Sequence, residues 1–278
     1  RQSSDVMGLE DLRELIAQFV ASDGVVCRPD EILIVNGAKH GLDLLCRVFI
    51  EPHDKVIVTA PSYMTALSIF RTHEVAFVTV HQDEEGLMTD ELEAALSKMA
   101  AAGEALPKLL FDVPDFHNPT GITTTLARRQ RLIALAERFG FVIVEDDPYR
   151  RIRFEGEPVP PMKSLDKKGV VIALGTASKI VAPGLRIGWV IAQPDVIRRM
   201  AAQKADGGTS PLNQRIFAEL LRSNHITRHV VRLISELRVH RDAMVAEIRS
   251  QIPEARVRPP QGGYFLWLRL PVGIDADL

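Results

Sequence analysis

The sequence predicts an α/β fold: a mainly parallel sheet with helices on both faces, followed by part of a smaller α/β domain. Three observations predict it. Short apolar runs of strand length alternate with amphipathic helical segments over the first two hundred residues, the pattern of crossover units in a parallel sheet. Four of the runs lead into loops rich in polar and small residues, and open α/β sheets bind ligands outside the carboxyl ends of their strands. Late in the chain the character changes to one long helical pattern and a Pro/Gly-centred pair of short strands. That change divides the chain into a large domain, residues 1–222, and the start of a small one, residues 223–278.

Taken in order, residues 8–22 place Leu9, Leu12, Leu15, Ile16 and Phe19 at helical spacing. Residues 32–35 read as a strand, 37–49 as a helix, 55–59 as a strand and 63–72 as a helix. Residues 75–80 are a strand, and 89–101 a helix capped by Thr89 or Asp90. Residues 106–113 are a strand that Pro107 interrupts only at its start. A long amphipathic helix, 123–139, precedes apolar strands at 141–144, 170–174 and 188–192. Helices follow at 195–203 and 211–221. Over 226–251, Val230, Leu233, Leu237, His240, Met244 and Ile248 recur at three- and four-residue steps, which is one long helix. The stretch 257–270 then reads as two strands around the turn at 259–263.

Of the 278 residues, 46% are hydrophobic and 25% charged, enough for a substantial core. A net charge of -2 offers no basic excess for nucleic acid or an anionic membrane. Two cysteines, Cys27 and Cys46, make no disulfide framework and no CxxC pattern. Cys46 sits in an apolar helical pattern and is expected in the core. No run is long enough to span a membrane and no signal-peptide pattern opens the chain, so a reducing cytoplasm fits. Arg1 opens the sequence and Leu278 falls within an amphipathic pattern, so both ends are expected to continue.

The chemistry starts at residues 175–186. A hydroxyl residue, Ser178, precedes Lys179, and Arg186 follows seven residues after the lysine in a loop punctuated by Pro183 and Gly184. A lysine amine can form a Schiff base with an aldehyde, and a guanidinium can grip a phosphate. The pair points to a phosphorylated aldehyde, pyridoxal 5′-phosphate. Ser-Lys alone is a weak motif, so the other loops must supply the remaining contacts. Gly37, Ala38 and Lys39 open a helix, where free amides bind phosphate; an ordinary ligand-free helix start reads the same way. Tyr63, just past a strand, can stack on a ring or simply pack. Asn118, fixed ahead of Pro119 and Gly121, can donate to a ring oxygen or belong to an ordinary turn. Asp146 can face a protonated pyridine nitrogen and make the ring an electron sink, or stand in water with Glu145 and Asp147. Tyr149 lies three residues on and can donate to the phenolic oxygen.

The strings NPTG (118–121), EDDPY (145–149), SKIVAPGLRIGW (178–189) and GGYFLWLRLP (262–271) resemble those of fold-type I pyridoxal-phosphate-dependent aminotransferases. The class I/II group that includes 2-aminoadipate and aromatic amino-acid aminotransferases is the most similar. The resemblance covers nearly the whole chain with the motifs in order. It implies transfer of an amino group between an amino acid and a 2-oxo acid. It casts Lys179 as the covalent anchor and proton carrier, Asp146 as the pyridine partner, and Asn118 and Tyr149 as ligands of the ring oxygen. Tyr63 becomes the stacking aromatic. Thr176, Ser178, Arg186 and the amides of Ala38 and Lys39 become phosphate ligands, and Gly262 and Gly263 the turn that brings the small domain over the site. Such enzymes are typically homodimers. The chain also departs from the pattern. Ser3 stands where a tyrosine usually reaches the partner's phosphate, and His117 replaces a common glutamine. The arginine for the substrate carboxylate would lie past Leu278; Arg269 is expected to face solvent. The aromatics Tyr264, Phe265 and Trp267 read as pocket or core equally well. Other pyridoxal-phosphate reactions (decarboxylation, elimination, cyclisation, oxidation) and the cofactor-sensing domain of a transcription regulator share the same motifs.

Overall fold

A computed structural model describes residues 6–205 and 207–274; Ser3 lies outside the described residues. Among these, strands β1 (Ile32–Val35), β2 (Lys55–Ala60), β3 (Ala76–Asp83), β4 (Gly86–Leu87), β5 (Leu109–Asp112), β6 (Val142–Asp146), β7 (Val171–Thr176) and β8 (Gly188–Ile191) form one sheet in the order β1-β8-β7-β6-β5-β2-β3-β4. Neighbours from β7 to β3 are parallel. Strand β8 runs antiparallel to both β1 and β7, and β4 antiparallel to β3. The sheet is therefore mainly parallel, as the alternation of elements implies, with β8 reversed. Its reversal follows from a short connection: the loop 177–187 is too brief for the crossover a parallel return needs.

Strand alternation sorts the core onto two faces. Leu33 and Val35, Val56 and Val58, Leu109 and Phe111, Val144, Ile172 and Leu174, and Val190 pack on one face. Helices α2 (Ala38–Phe49), α3 (Met64–Thr72) and α7 (Pro194–Ala202) cover that face through residues such as Leu42, Leu45, Phe70, Ile197 and Met200. The opposite face carries Ile57, Leu110, Ile143 and Val171, packed with Leu92 and Leu96 of α4 (Thr89–Ala101) and Leu132 and Leu135 of α5 (Leu126–Phe139). Further along that face Ile32, Ile34, Trp189 and Ile191 meet α1 (Glu10–Ala21) and α8 (Pro211–Arg222). Trp189 stacks on Phe217 at 6.0 Å between ring centroids. Cys46 is fully buried, as its pattern implies.

Several boundaries differ from the sequence reading, each for a local reason. Helix α5 begins at Leu126, because Thr125 accepts a hydrogen bond from the Arg128 amide and so caps it. Helix α4 has Met88 at its N-cap and no side-chain cap, so neither Thr89 nor Asp90 plays that part. Strand β5 starts at Leu109, beyond Pro107, which cannot donate to a ladder. Strand β3 runs on to Asp83 and turns through Glu84 and Glu85 into β4, a hairpin absent from the sequence reading; Gly86 takes φ 105°, a conformation that suits glycine. Strand β6 extends through Glu145 and Asp146, which belong to the strand end rather than to the loop after it. After the short helix α6 (Met162–Leu165), the last elements are α9 (His225–Gln251) and the antiparallel pair β9 (Arg256–Val257) and β10 (Leu268–Arg269). Arg269 is exposed. No helix among the described residues is long and apolar enough to cross a membrane.

Candidate active site

The carboxyl ends of β1, β7, β6 and β2 and the amino end of β8 point the same way, and a cavity of about 210 Å³ opens there. Gly37, Ala38, Lys39, Tyr63, Asn118, Asp146, Tyr149, Thr176, Ser178, Lys179 and Arg186 all line it. The structure thus brings together every site position inferred from the sequence. Val113, Pro148 and Pro183 also line the cavity; apolar residues next to motif positions carry no distinctive sequence signal.

One end of the cavity is built for an anion. Helix α2 opens at Ala38 behind Gly37, whose φ of 86° is open to glycine and which offers no side-chain cap to the first-turn amides. Arg186 stands beside it, its Nη2 donating to the Asn36 carbonyl at 2.8 Å. A Cβ on Gly37 would sit 3.0 Å from that Nη2. Gly188, at the start of β8, lets the strands close: a Cβ there would fall 2.6 Å from the Gly37 carbonyl carbon. The Thr176 hydroxyl lies 3.0 Å from Ser178 Oγ and accepts from the Ser178 amide at 3.2 Å. Amides, two hydroxyls and a guanidinium around one opening suit a phosphate.

The other end holds the acid. Asp146 shares the face of Val144, is 7% exposed, and its Oδ1 finds no hydrogen-bond partner among the described residues. Burial, reinforced by Asp147 and opposed by Lys179, pushes its carboxyl up to about 7. A buried carboxylate without a partner is costly, and a cationic ring nitrogen at this position would relieve that cost. Tyr149 is buried; desolvation and the nearby Asp146 raise its phenol, while a hydrogen bond with Asn118 works the other way. The Asn118 amide and the Tyr149 hydroxyl therefore stand close together on the cavity wall. Tyr63 immediately precedes α3, without a side-chain capping bond, and lines the cavity wall. Lys179 is exposed at the mouth. The residues present fit pyridoxal 5′-phosphate at both ends: an anion cradle at one, an unpaired acid at the other.

Three features escape sequence reasoning. Tyr264 donates its hydroxyl to the Lys179 carbonyl at 2.9 Å, its ring centroid is 5.9 Å from Lys179 Nζ, and it meets Tyr149 edge-on at 6.1 Å. Its place depends on Gly262 and Gly263, where a Cβ would fall 2.4 Å from Phe116 Cζ and 2.6 Å from Phe116 Cβ, respectively. Glu145, one residue from Asp146, is not solvated: it accepts from the amides of Met162 and Lys163 at 2.8 and 2.9 Å. His117 is buried too, and desolvation alone lowers its imidazole to about 3. For the first two, the partners lie too far along the chain for spacing to reveal them.

The family model for aminotransferase class I and II matches residues 1–273. The chain is 38% identical over its whole length to aromatic-amino-acid aminotransferase 1 of Thermococcus litoralis, of which it spans 67%. It is 32% identical over 98% of its length to an uncharacterized HTH-type transcriptional regulator of Bacillus subtilis, of which it spans 56%. The solved structure of Pyrococcus horikoshii kynurenine aminotransferase, in complex with PMP, superposes with a TM-score of 0.95 at 35% identity, covering 99% of this chain and 69% of that one.

Proposed function

From the premise that the chain belongs to the class I and II aminotransferase family, we propose that it moves an amino group between an amino acid and a 2-oxo acid, with pyridoxal 5′-phosphate held in the cavity around Lys179. One observation carries the placement: the buried Asp146 carboxyl with an unpartnered oxygen, in the same cavity as Lys179 and the anion cradle. When bound, the cofactor supplies an electron sink that makes the substrate α-carbon acidic. Lys179 anchors the aldehyde and carries the proton to and from that carbon. Asp146, in its ionised form, keeps the ring nitrogen protonated, and the cation in turn holds the acid ionised. Tyr149 and Asn118 hold the ring hydroxyl oxygen, and Tyr63 covers a ring face. Thr176, Ser178, Arg186 and the amides of Ala38 and Lys39 beside Gly37 take the phosphate. Two cysteines without a framework and the family pattern support a cytoplasmic homodimer. The names of the relatives put aromatic amino acids and kynurenine first among donors to test.

The test is a donor screen with 2-oxoglutarate on full-length protein. Transamination yields glutamate; release of ammonia without glutamate would instead indicate elimination or oxidation. Lys179→Ala should abolish turnover, and full activity in that variant ends the reading. The likeness to a regulator favours a second reading, in which the same cavity senses the cofactor without turning over. Cofactor binding with no glutamate formed from any donor would select it.

A further inference from the structure

Behind Asn118, His117, Gln82 and Thr120 close a hydrogen-bond ring of uncharged side chains on the far side of the sheet, with Thr59 against it. His117 Nε2 lies 2.9 Å from Gln82 Nε2 and 3.1 Å from Thr59 Oγ1. His117 Nδ1 lies 3.0 Å from Thr120 Oγ1, and the Thr120 hydroxyl donates to Gln82 Oε1 at 3.2 Å. An amide nitrogen can only donate, so His117 Nε2 accepts. The imidazole proton then sits on Nδ1 and goes to Thr120, whose own proton goes to Gln82. The backbone closes the same turn: the His117 amide donates to the Ile122 carbonyl at 2.8 Å and the Gly121 amide to the His117 carbonyl at 2.7 Å.

Thr59 and Gln82 lie on neighbouring strands β2 and β3 and share the strand parity of Ile57 and Val80, away from the cavity. The next residue after His117, Asn118, lines the cavity together with Tyr149. We infer that His117 is a positioning residue for Asn118: as the neutral Nδ1–H tautomer it pins the loop to the back of β2 and β3 and keeps the Asn118 amide directed at Tyr149. The inference rests on the reading of Asn118 as a cofactor contact. A glutamine can make one donor and one acceptor contact at such a place, as this imidazole does; a leucine makes neither.

Histidine-selective ¹⁵N NMR on cofactor-free protein reads the ring directly. His117 should show a protonated Nδ1 and an unprotonated Nε2, unchanged across the range in which exposed imidazoles titrate. The opposite tautomer, or an imidazole that titrates there, overturns the assignment. Binding of pyridoxal 5′-phosphate, followed by absorbance, tests the consequence. His117→Leu and Thr120→Val should each weaken it roughly tenfold, the scale of one lost buried hydrogen bond with its partner left unsatisfied. Thr120→Val breaks the ring without touching the imidazole, so it serves even if His117→Leu misfolds. His117→Gln should stay within about threefold of wild type. Asn118→Ala separates the two levels. If it binds like wild type, the reading of Asn118 fails and the inference falls with it. If it weakens binding while Thr120→Val does not, the positioning role alone is overturned.

Discussion

Glu145 and Asp146 are consecutive residues of β6, both buried, and the protein treats their charges in opposite ways. Strand alternation sends Glu145 to the face of Ile143 and Asp146 to the face of Val144. Glu145 accepts from two backbone amides, and Arg150 lies 3.7 Å away, itself paired with Asp115 at 2.7 Å and Asp147 at 2.5 Å. Arg129, fully buried, completes the cluster at 3.1 Å from Asp115. Asp146 has an oxygen with no partner among the described residues. On one face Glu145 has two backbone donors and a nearby guanidinium; on the other Asp146 keeps an open oxygen at the wall of the cavity.

That contrast can be broken at either end. The largest effect is expected from Asp146→Ala. With the cationic ring losing its buried partner, transamination should fall about a thousandfold, corresponding to the roughly 3–5 kcal/mol of a broken buried pair. The cofactor-free variant should unfold no more easily than wild type, because it loses a buried acid with an unpartnered oxygen. Glu145→Ala should do the reverse. It strands two amides and should cost about 3 kcal/mol in urea unfolding, while the folded fraction keeps activity within about tenfold. If both variants lose activity alike and stability alike, the division between the faces fails.

A pH series sharpens the contrast. Asp112, paired in register with Glu145, and Asp146 are both raised from 3.8 to about 7, first of all by burial. Both states are protonated below the unfolded value, so the stability these protons confer is complete there. As pH rises toward 7 the unfolded chain releases protons that the folded chain keeps, and stability falls. Urea midpoints of cofactor-free protein should therefore drop across that window. Asp112→Asn should remove part of the drop. Loading with cofactor should remove the Asp146 part only, since a cationic partner favours its ionised form. The smallest effect expected is that of Ser178→Ala, about three- to tenfold in cofactor affinity, the range for a single hydrogen bond.

Much of this was legible in the sequence because the relevant signals are local. Alternating apolar runs announce the layered sheet, and the site residues sit at strand ends, where short motifs such as Asn118–Pro119 and Ser178–Lys179 mark them. What the chain does not display are pairings between distant residues. The place of β8 between β1 and β7 is such a pairing, and no residue of Gly188–Ile191 announces it. The run Glu145–Asp147 reads as solvated until Arg150 and Arg129 are seen against it. The hydroxyl of Tyr264 finds the Lys179 carbonyl from 85 residues away, which no spacing rule anticipates.

Strand β1 forms one margin of the sheet: β8 is its one strand neighbour, and on its outer side the Ile34 amide donates to the Met7 carbonyl instead of to another strand, so fewer ladder bonds hold it than hold the central strands. At its carboxyl end Asn36 meets Arg186, 150 residues further along the chain. A phosphate held jointly by the start of α2 and by Arg186 would clasp that margin shut as a non-covalent staple. Loss of the ligand would then register first in deuterium uptake at Ile32–Val35, before any change reached the buried strands at the centre.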